Sequence, residues 1–122
     1  MYRPDRNYKA VQQNPDEWQA FEDAAFEEAQ ARLKRARELN GFKSEAEEIA
    51  YLRNSEEEVD LIERSYWATE AAADNLIQAG DPDISPEISF EFLVTSHIQS
   101  EIARVLDATV SAMTEEENSQ RV

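Results

Sequence analysis

Apolar residues recur at three- and four-residue intervals along most of this sequence, and only two glycines and four prolines occur in its 122 residues. That spacing places apolar side chains on one face of an α-helix, whereas a half-buried strand alternates every second residue. Both glycines, Gly41 and Gly80, stand next to expected helix ends. The sequence therefore predicts an all-α protein.

The first long helix is predicted to begin at Pro15 and to end before Gly41. Asn14 supplies a capping side chain, proline is favoured in the first turn, and Glu17 lies three residues after the cap. Glycine commonly follows the end of a helix. The stripe between these ends is rich in alanine, which would allow close approach of another helix; it consists of Trp18, Phe21, Ala25, Ala29, Leu33, Ala36 and Leu39.

Two further helix starts compete in the next segment. Ser44 and Ser55 are each followed by a glutamate three residues later, which is the spacing of a capping box. A single helix over residues 45–79 is also compatible with the apolar heptad spacing, but it would be roughly 52 Å long against roughly 37 Å for the first helix. We expect a break near Asn54, so that a short helix precedes a long one over residues 56–79.

The last long helix is predicted to follow a loop at residues 80–83. Ser85 is placed to cap it, and Pro86 occupies its first turn. Alternation over residues 89–95 also permits a short strand, but the sequence offers no partner strand, so helix is favoured. The apolar face of this helix comprises Ile88, Phe92, Ile98, Ile102, Val105, Leu106, Val110 and Met113.

Three long helices joined by short connections predict an antiparallel three-helix bundle with one additional short helix. The single helical domain is expected to span residues 15–115. Residues 1–14 lack an amphipathic period and are expected to form a mobile, extended arm. The polar residues 116–122 are expected to form a frayed tail.

The formal net charge is -15 at pH 7. Nucleic-acid affinity comes largely from Lys and Arg that displace counterions, so direct binding of DNA or RNA is not expected. The charge also disfavours anionic membranes, and it favours a basic groove on a protein partner. A row of carboxylates could imitate a nucleic-acid backbone, or it could serve solubility alone. The candidate acidic face consists of Glu56, Glu57, Glu58, Asp60 and Glu63.

Composition also restricts the compartment and the chemistry. No apolar run approaches the ~20 residues that span a bilayer, and residues 1–14 lack the apolar segment of a signal peptide, so a cytoplasmic location is expected. Cysteine is absent, which excludes disulfides, thiolate metal sites and cysteine nucleophiles. No cofactor motif is present.

One candidate contact surface lies on the last helix. Projection at 100° per residue places Phe90 and Leu93 away from the stripe around Ile98, on the same side as His97 and Arg104. Aromatic residues and arginine are enriched at protein interfaces, so this patch is a candidate partner site. The favoured alternative is that the short helix or the N-terminal arm covers Phe90 and Leu93.

A second candidate surface lies on the helix predicted over residues 56–79. Its main apolar stripe is expected to face the core and consists of Val59, Ile62, Tyr66, Ala73 and Ile77. Leu61 and Trp67 project to either side of that stripe and are candidate partner-binding residues. The middle helix of a bundle needs a wide apolar face, however, so burial of Trp67 in the core is favoured.

Carboxylate chemistry is the enzymatic alternative. Magnesium-dependent all-α nucleotide pyrophosphatases need acidic pairs on two helices that face one another across a cleft. The acidic residues that superficially suggest such a site do not reproduce that spacing; they are Glu56, Glu57, Asp60, Glu70 and Asp74. A dinuclear metal centre would need paired glutamate and histidine ligands, whereas the chain has one histidine, His97, which pairs at best with Glu101.

These observations predict a non-enzymatic protein that binds another protein as a small regulator, inhibitor or adaptor. A structural subunit that self-associates through its helices, starting from the alanine-rich first stripe, is the alternative. Neither a metal nor another cofactor is expected.

Overall fold

The computed structural model describes residues 15–120, and these residues form four helices. They are α1 (Pro15–Leu39), α2 (Glu45–Ser55), α3 (Glu58–Ala79) and α4 (Pro86–Gln120). The predicted all-α bundle, with three long helices and one short one, is confirmed. The arm predicted for residues 1–14 lies outside the described residues. None of the helices in the described range is long and apolar enough to cross a membrane.

Local sequence signals account for most of the helix ends. Gly41 has a φ of 81°, and the amide of Phe42 donates to the Arg37 carbonyl at 2.9 Å, which is the wider bond of a Schellman motif. The Ser44 side chain accepts from the amide of Glu47, as its capping-box spacing predicts. Ser85 likewise accepts from the amide of Ile88 at 3.3 Å.

The predicted break between the second and third helices is confirmed, but it lies slightly later than expected. Glu56 and Glu57 have extended backbones and separate α2 from α3. The N-cap of α3 is Glu57, whose side chain makes no capping hydrogen bond with the first turn. Ser55 therefore ends α2 and does not cap α3.

Helix α4 is the central helix of the fold. It has 35 residues, which corresponds to roughly 52 Å, and each of the other three helices packs against it. The alternative strand over residues 89–95 is wrong, since this segment is helical. At its other end α4 continues to Gln120, five residues beyond the predicted domain boundary at residue 115.

The two sides of α4 are packed in different ways. Helix α1 runs in the same general direction as α4, because Phe21 contacts Phe90 and Arg37, further along α1, pairs with Glu101. An apolar cluster is buried around the N-terminal half of α4; the members are Phe21, Ala25, Ala29, Ala79, Phe90, Leu93 and Val94. Helix α3 runs antiparallel to α4, because its last buried residue, Ala79, accepts a hydrogen bond from Ser89 near the start of α4. This second contact is formed mainly by small residues.

Helix α2 is attached to the bundle chiefly by charged groups. It contains no buried residue. Glu48 accepts from Arg37 of α1 at 2.7 Å, Glu45 pairs with Arg104 of α4, and Arg53 pairs with Glu116 of α4. The short helix therefore lies along the C-terminal half of α4 without contributing a core of its own.

Candidate functional site

The most unusual surface in the described part of the chain is the outer face of α3. Six large hydrophobic or aromatic side chains there are more than half exposed: Val59 (65%), Ile62 (51%), Tyr66 (58%), Trp67 (59%), Leu76 (51%) and Ile77 (71%). We call these six residues the outer face of α3. Single exposed hydrophobic residues are normal on proteins, whereas a contiguous set on one element marks a contact surface.

The outer face is exposed because a different set of α3 residues packs against α4. The residues that α3 buries are Leu61, Ser65, Ala68, Ala72 and Ala79, and we call them the inner face. All but Leu61 are small. The Ser96 hydroxyl of α4 donates to the Ala72 carbonyl at 2.7 Å, a contact that requires the two backbones to lie close together. Small residues permit that approach, and the large ones are left outside.

Two aromatic rings and two carboxylates form a cluster near the middle of the outer face. The Tyr66 hydroxyl donates to Glu70 at 2.8 Å, and the Trp67 indole N–H donates to Glu63 at 3.4 Å. The two rings contact each other edge to face with centroids 5.7 Å apart. The hydrogen bond to Glu70 raises the pKa of the Tyr66 hydroxyl. We call these four residues the aromatic–carboxylate cluster.

Acidic residues lie along one flank of the outer face, around Trp67. The helical spacing of 100° per residue places them together beside the apolar positions. This acidic border consists of Asp60, Glu63, Glu70 and Asp74, all of them exposed. Within the described part of the chain, none of these four carboxylates forms an ion pair with an arginine or a lysine. Several other glutamates of the chain do form such pairs, among them Glu48, Glu91 and Glu101.

A groove between α3 and α4 borders the outer face on its other side. Its volume is about 470 Å³, and its walls include Thr69 and Leu76 of α3 together with Ser100 and Arg104 of α4. Ala72 and Ala103 also line it, so part of its surface is made of small, apolar side chains. An apolar side chain from a neighbouring helix could enter this groove beside Leu76.

The patch predicted around Phe90 and Leu93 is not a surface. Phe90 is 4% exposed and Leu93 is 0% exposed, and Phe90 contacts Phe21 edge to face with centroids 5.6 Å apart. Phe21, Ala25 and Ala29 of α1 pack against this patch, and the short helix buries no residue of its own. The arm proposed as the other cover lies outside the described residues. The buried face of α4 is wider than one apolar stripe, because α4 contacts three other helices.

His97 and Arg104 also do not form a free contact surface. The His97 ring lies edge to face against Phe26 of α1, with centroids 5.4 Å apart, and no described residue is a hydrogen-bond partner of its buried Nε2. Arg104 is paired with Glu45 and Glu101. It therefore ties α4 to α2, and its raised pKa follows from those hydrogen bonds.

The predicted orientation of α3 is reversed in the structure. Leu61, expected at the edge of the core stripe, is 0% exposed, whereas Val59 and Ile77 of the supposed core stripe are among the most exposed residues. Trp67, whose burial was favoured, is 59% exposed. The physical reason is that α4, and not α3, is the central helix, so α3 has only one extensive neighbour.

The acidic candidates lie in two groups. Glu56 and Glu57 belong to the linker before α3, where Glu56 pairs with Arg64 at 3.4 Å. Glu58, Asp60 and Glu63 lie on the first turns of α3 itself. The carboxylates considered for a magnesium site therefore lie along one helix and the linker before it. The described residues contain no group of three or more histidine, aspartate or glutamate side chains that could hold a metal ion.

The sequence carries a signal for the inner face in the spacing of its small residues. Small residues recur every seven positions on α3, at Ser65, Ala72 and Ala79, and again on α4, at Ser89, Ser96 and Ala103. Two such rows can pack closely against each other in an antiparallel pair. Hydrophobicity alone ranks these positions below Val59 or Ile62 and therefore selects the wrong face.

Comparison with known proteins finds no matching family model, no similar curated protein and no similar solved structure.

Proposed function

We propose that this chain is a non-enzymatic, cytoplasmic protein-binding module, a regulator, inhibitor or adaptor, whose contact surface is the outer face of α3. The single observation that carries the proposal is the exposure of six large hydrophobic or aromatic side chains on one helix. Their burial by a partner would be favourable by roughly 25 cal/mol per Å² of apolar surface removed from water.

The composition of the outer face supports this proposal. Interface residues that contribute most to affinity are enriched in tryptophan, tyrosine and arginine. Tyr66 and Trp67 lie side by side at the centre of the outer face, with aliphatic residues toward both ends of the helix. This arrangement of central aromatic anchors and surrounding apolar contacts is typical of a helix-binding surface.

Imitation of nucleic acid receives less support as a mechanism of inhibition. The acidic border places four carboxylates over residues 60–74, a distance of roughly 21 Å. Duplex DNA carries about 12 phosphate charges over that length. Because the carboxylates also alternate with large apolar residues, the surface favours a protein partner that combines apolar and charged contacts.

Self-association is the second candidate function, and one observation favours it. The positions Val59, Ile62, Tyr66, Ala73 and Leu76 follow the a and d spacing of a heptad repeat, which is the pattern of helices that pair lengthwise. Ala25 and Ala29 of the α1 stripe are not available for self-association, because they are 0% exposed within the chain. The heptad spacing places the contact of such a dimer on α3.

Site-specific photo-crosslinking tests the proposed function. The crosslinker p-benzoylphenylalanine replaces Tyr66 in the full chain, and the matched control carries it at Leu39, which is 87% exposed on α1. We expect a discrete adduct in source-cell extract from the Tyr66 position only, and we expect Ile62→Asp in the same chain to suppress it. Equal labelling from both positions, or labelling that Ile62→Asp does not reduce, would contradict the proposal.

Light scattering at two salt concentrations separates the two candidates. A monomer at both salt concentrations, together with a heterologous adduct, supports partner binding. A stable dimer that Ile62→Asp converts to monomer supports self-association through α3.

A further inference from the structure

The aromatic–carboxylate cluster has the features of a binding site for a cation. The Tyr66 and Trp67 rings are each more than half exposed, and each ring is held by a hydrogen bond to a carboxylate, at 2.8 Å for Glu70 and at 3.4 Å for Glu63. An arginine or lysine is attracted to the face of an exposed aromatic ring. A guanidinium that lies on such a ring can donate to an adjacent carboxylate at the same time.

The acidic border extends this preference along the helix. Asp60 and Asp74 lie on the same side of the helix as the cluster, one toward each end. In the described part of the chain these carboxylates have no cationic partner, although Arg32, Arg37, Arg53 and Arg104 pair with other glutamates. These carboxylates are therefore available to a positive charge supplied by a partner.

The same charges disfavour a second copy of the chain as the occupant. Two α3 helices paired through Val59, Ile62, Tyr66 and Leu76 would bring acidic borders of like charge toward each other. Like charges at an interface are unfavourable, and each chain carries a formal net charge of -15. Electrostatics therefore favours a different protein with the opposite charge.

The dimensions of the surface can accommodate a helix. From Val59 to Ile77 the outer face extends roughly 27 Å, the length of about 18 helical residues. The groove of about 470 Å³ beside Leu76 and Thr69 runs between α3 and α4 and can receive side chains from a helix that lies over it. The apolar positions of such a partner would recur at three- and four-residue intervals.

We infer that the outer face of α3 binds a basic amphipathic helix of another protein, with arginine or lysine along the flank that meets the acidic border. At least one of these cations lies against Tyr66 or Trp67 and donates to Glu63 or Glu70. This inference rests on the proposed function and specifies the chemistry of the partner.

Two designed peptides test the inference directly. Both have 21 residues, capped ends and the same leucine stripe at helical spacing; one carries arginine along one flank, and the other carries glutamate at the same positions. Fluorescence anisotropy of the labelled peptides with the full chain gives the affinities. We expect the arginine peptide to bind about tenfold more tightly at physiological salt, since two favourable cation contacts are worth that factor. The ratio should decrease as salt rises.

Charge-neutral variants locate the effect. Glu63→Gln combined with Glu70→Gln should weaken binding of the arginine peptide several-fold and leave binding of the glutamate peptide unchanged or stronger. The matched control replaces Glu27 and Glu38, two exposed glutamates of α1, by glutamine and should leave both affinities unchanged. Amide shifts in NMR spectra of the labelled protein should concentrate on residues 59–77.

Each contrary outcome has a separate meaning. Equal affinity for the two peptides, with shifts on α3, would overturn the basic partner but leave the proposed function intact. A dimer that Ile62→Asp dissociates would replace the partner by a second copy. Absence of binding by both peptides would overturn the inference, and absence of a Tyr66-specific adduct as well would overturn the proposed function.

Discussion

The two faces of helix α3 are opposite in size and in environment. The inner face, which α4 covers, is made of four small residues and Leu61. The outer face, which solvent contacts, carries valine, isoleucine, leucine, tyrosine and tryptophan. In most amphipathic helices the larger apolar residues are buried. Here the smaller ones are buried, because close approach to α4 gives many contacts and buries the Ser89 and Ser96 hydroxyls with hydrogen bonds to α3 carbonyls.

This contrast separates the residues that stabilise the fold from the residues available for binding. Inner-face substitutions should change the free energy of unfolding and leave partner contacts intact if the helix still forms. Outer-face substitutions should weaken partner contacts and leave the free energy of unfolding nearly unchanged. The two faces alternate along one helix, so adjacent residues provide matched pairs for experiment.

The largest expected difference is between Leu61 and its neighbour Ile62. Leu61→Ala removes a side chain that is 0% exposed and should lower the free energy of unfolding by about 2–5 kcal/mol, the usual cost of a cavity. Ile62→Ala, at a position that is 51% exposed, should lower it by less than about 1 kcal/mol. Urea unfolding followed by circular dichroism measures both. Equal losses would mean that the outer face is also packed.

The second comparison enlarges a residue on each face. Ala72→Leu should destabilise the fold by about 1–3 kcal/mol, because the added atoms would separate α3 from α4. Ala73→Leu is the matched control at an exposed position and should change the free energy of unfolding by less than about 0.5 kcal/mol. If Ala72→Leu were tolerated equally well, close packing of small residues would not be what selects the inner face.

The third comparison sets this close contact against the ion pairs of Glu101 on α4, whose partners are Arg104 of the same helix and Arg37 of α1. Hydrogen bonds from Arg104 hold the pKa of Glu101 below its ordinary value of 4.5. Partial burial opposes this shift, and the positive charges of Arg104 and Arg37 add to it. Because the unfolded chain binds the proton more tightly, the stabilisation is present above pH 4.5 and is lost as the pH falls further.

The variant Glu101→Gln isolates this contribution. It should lower the free energy of unfolding by about 1 kcal/mol at pH 7, and the gap between wild type and variant should narrow as the pH falls below 4.5. Urea titrations over a range of pH values measure the gap. Glu117→Gln, at an exposed position near the end of α4, is the control. A gap that does not depend on pH would show that Glu101 acts through packing and not through charge.

The smallest effect concerns the outer face alone. The hydrogen bond to Glu70 raises the pKa of the exposed Tyr66 hydroxyl above its ordinary value of 10.0. Glu70→Gln should return that pKa toward 10.0, whereas Asp74→Asn, on the same border, should not. NMR titration of the ring carbons in tyrosine-labelled protein resolves Tyr66 from the other tyrosines. An unchanged pKa in Glu70→Gln would contradict the bonded cluster.

Features that depend on nearby residues could be predicted from the sequence, whereas the exposure of the candidate residues on α3 could not. The helices, the turn at Gly41 and the caps at Ser44 and Ser85 were predictable, because each depends on residues within one or two turns. The role of Trp67 was not predictable in this way. Whether Trp67 is buried or exposed depends on how many helices contact α3. The central position of α4 results from the combined packing of α1, α2 and α3 against it.

The amino-acid sequence by itself determined an all-α chain, since an apolar period of 3.6 residues specifies a helix. It also determined helix boundaries close to those observed, because capping residues, proline and glycine act locally. Only the tertiary structure decided which side of α3 faces the protein. Both sides carry apolar residues, and hydrophobicity favours the side with the larger ones. Steric fit between the small residues of α3 and α4 is a property of the pair, and it placed Tyr66 and Trp67 on the surface.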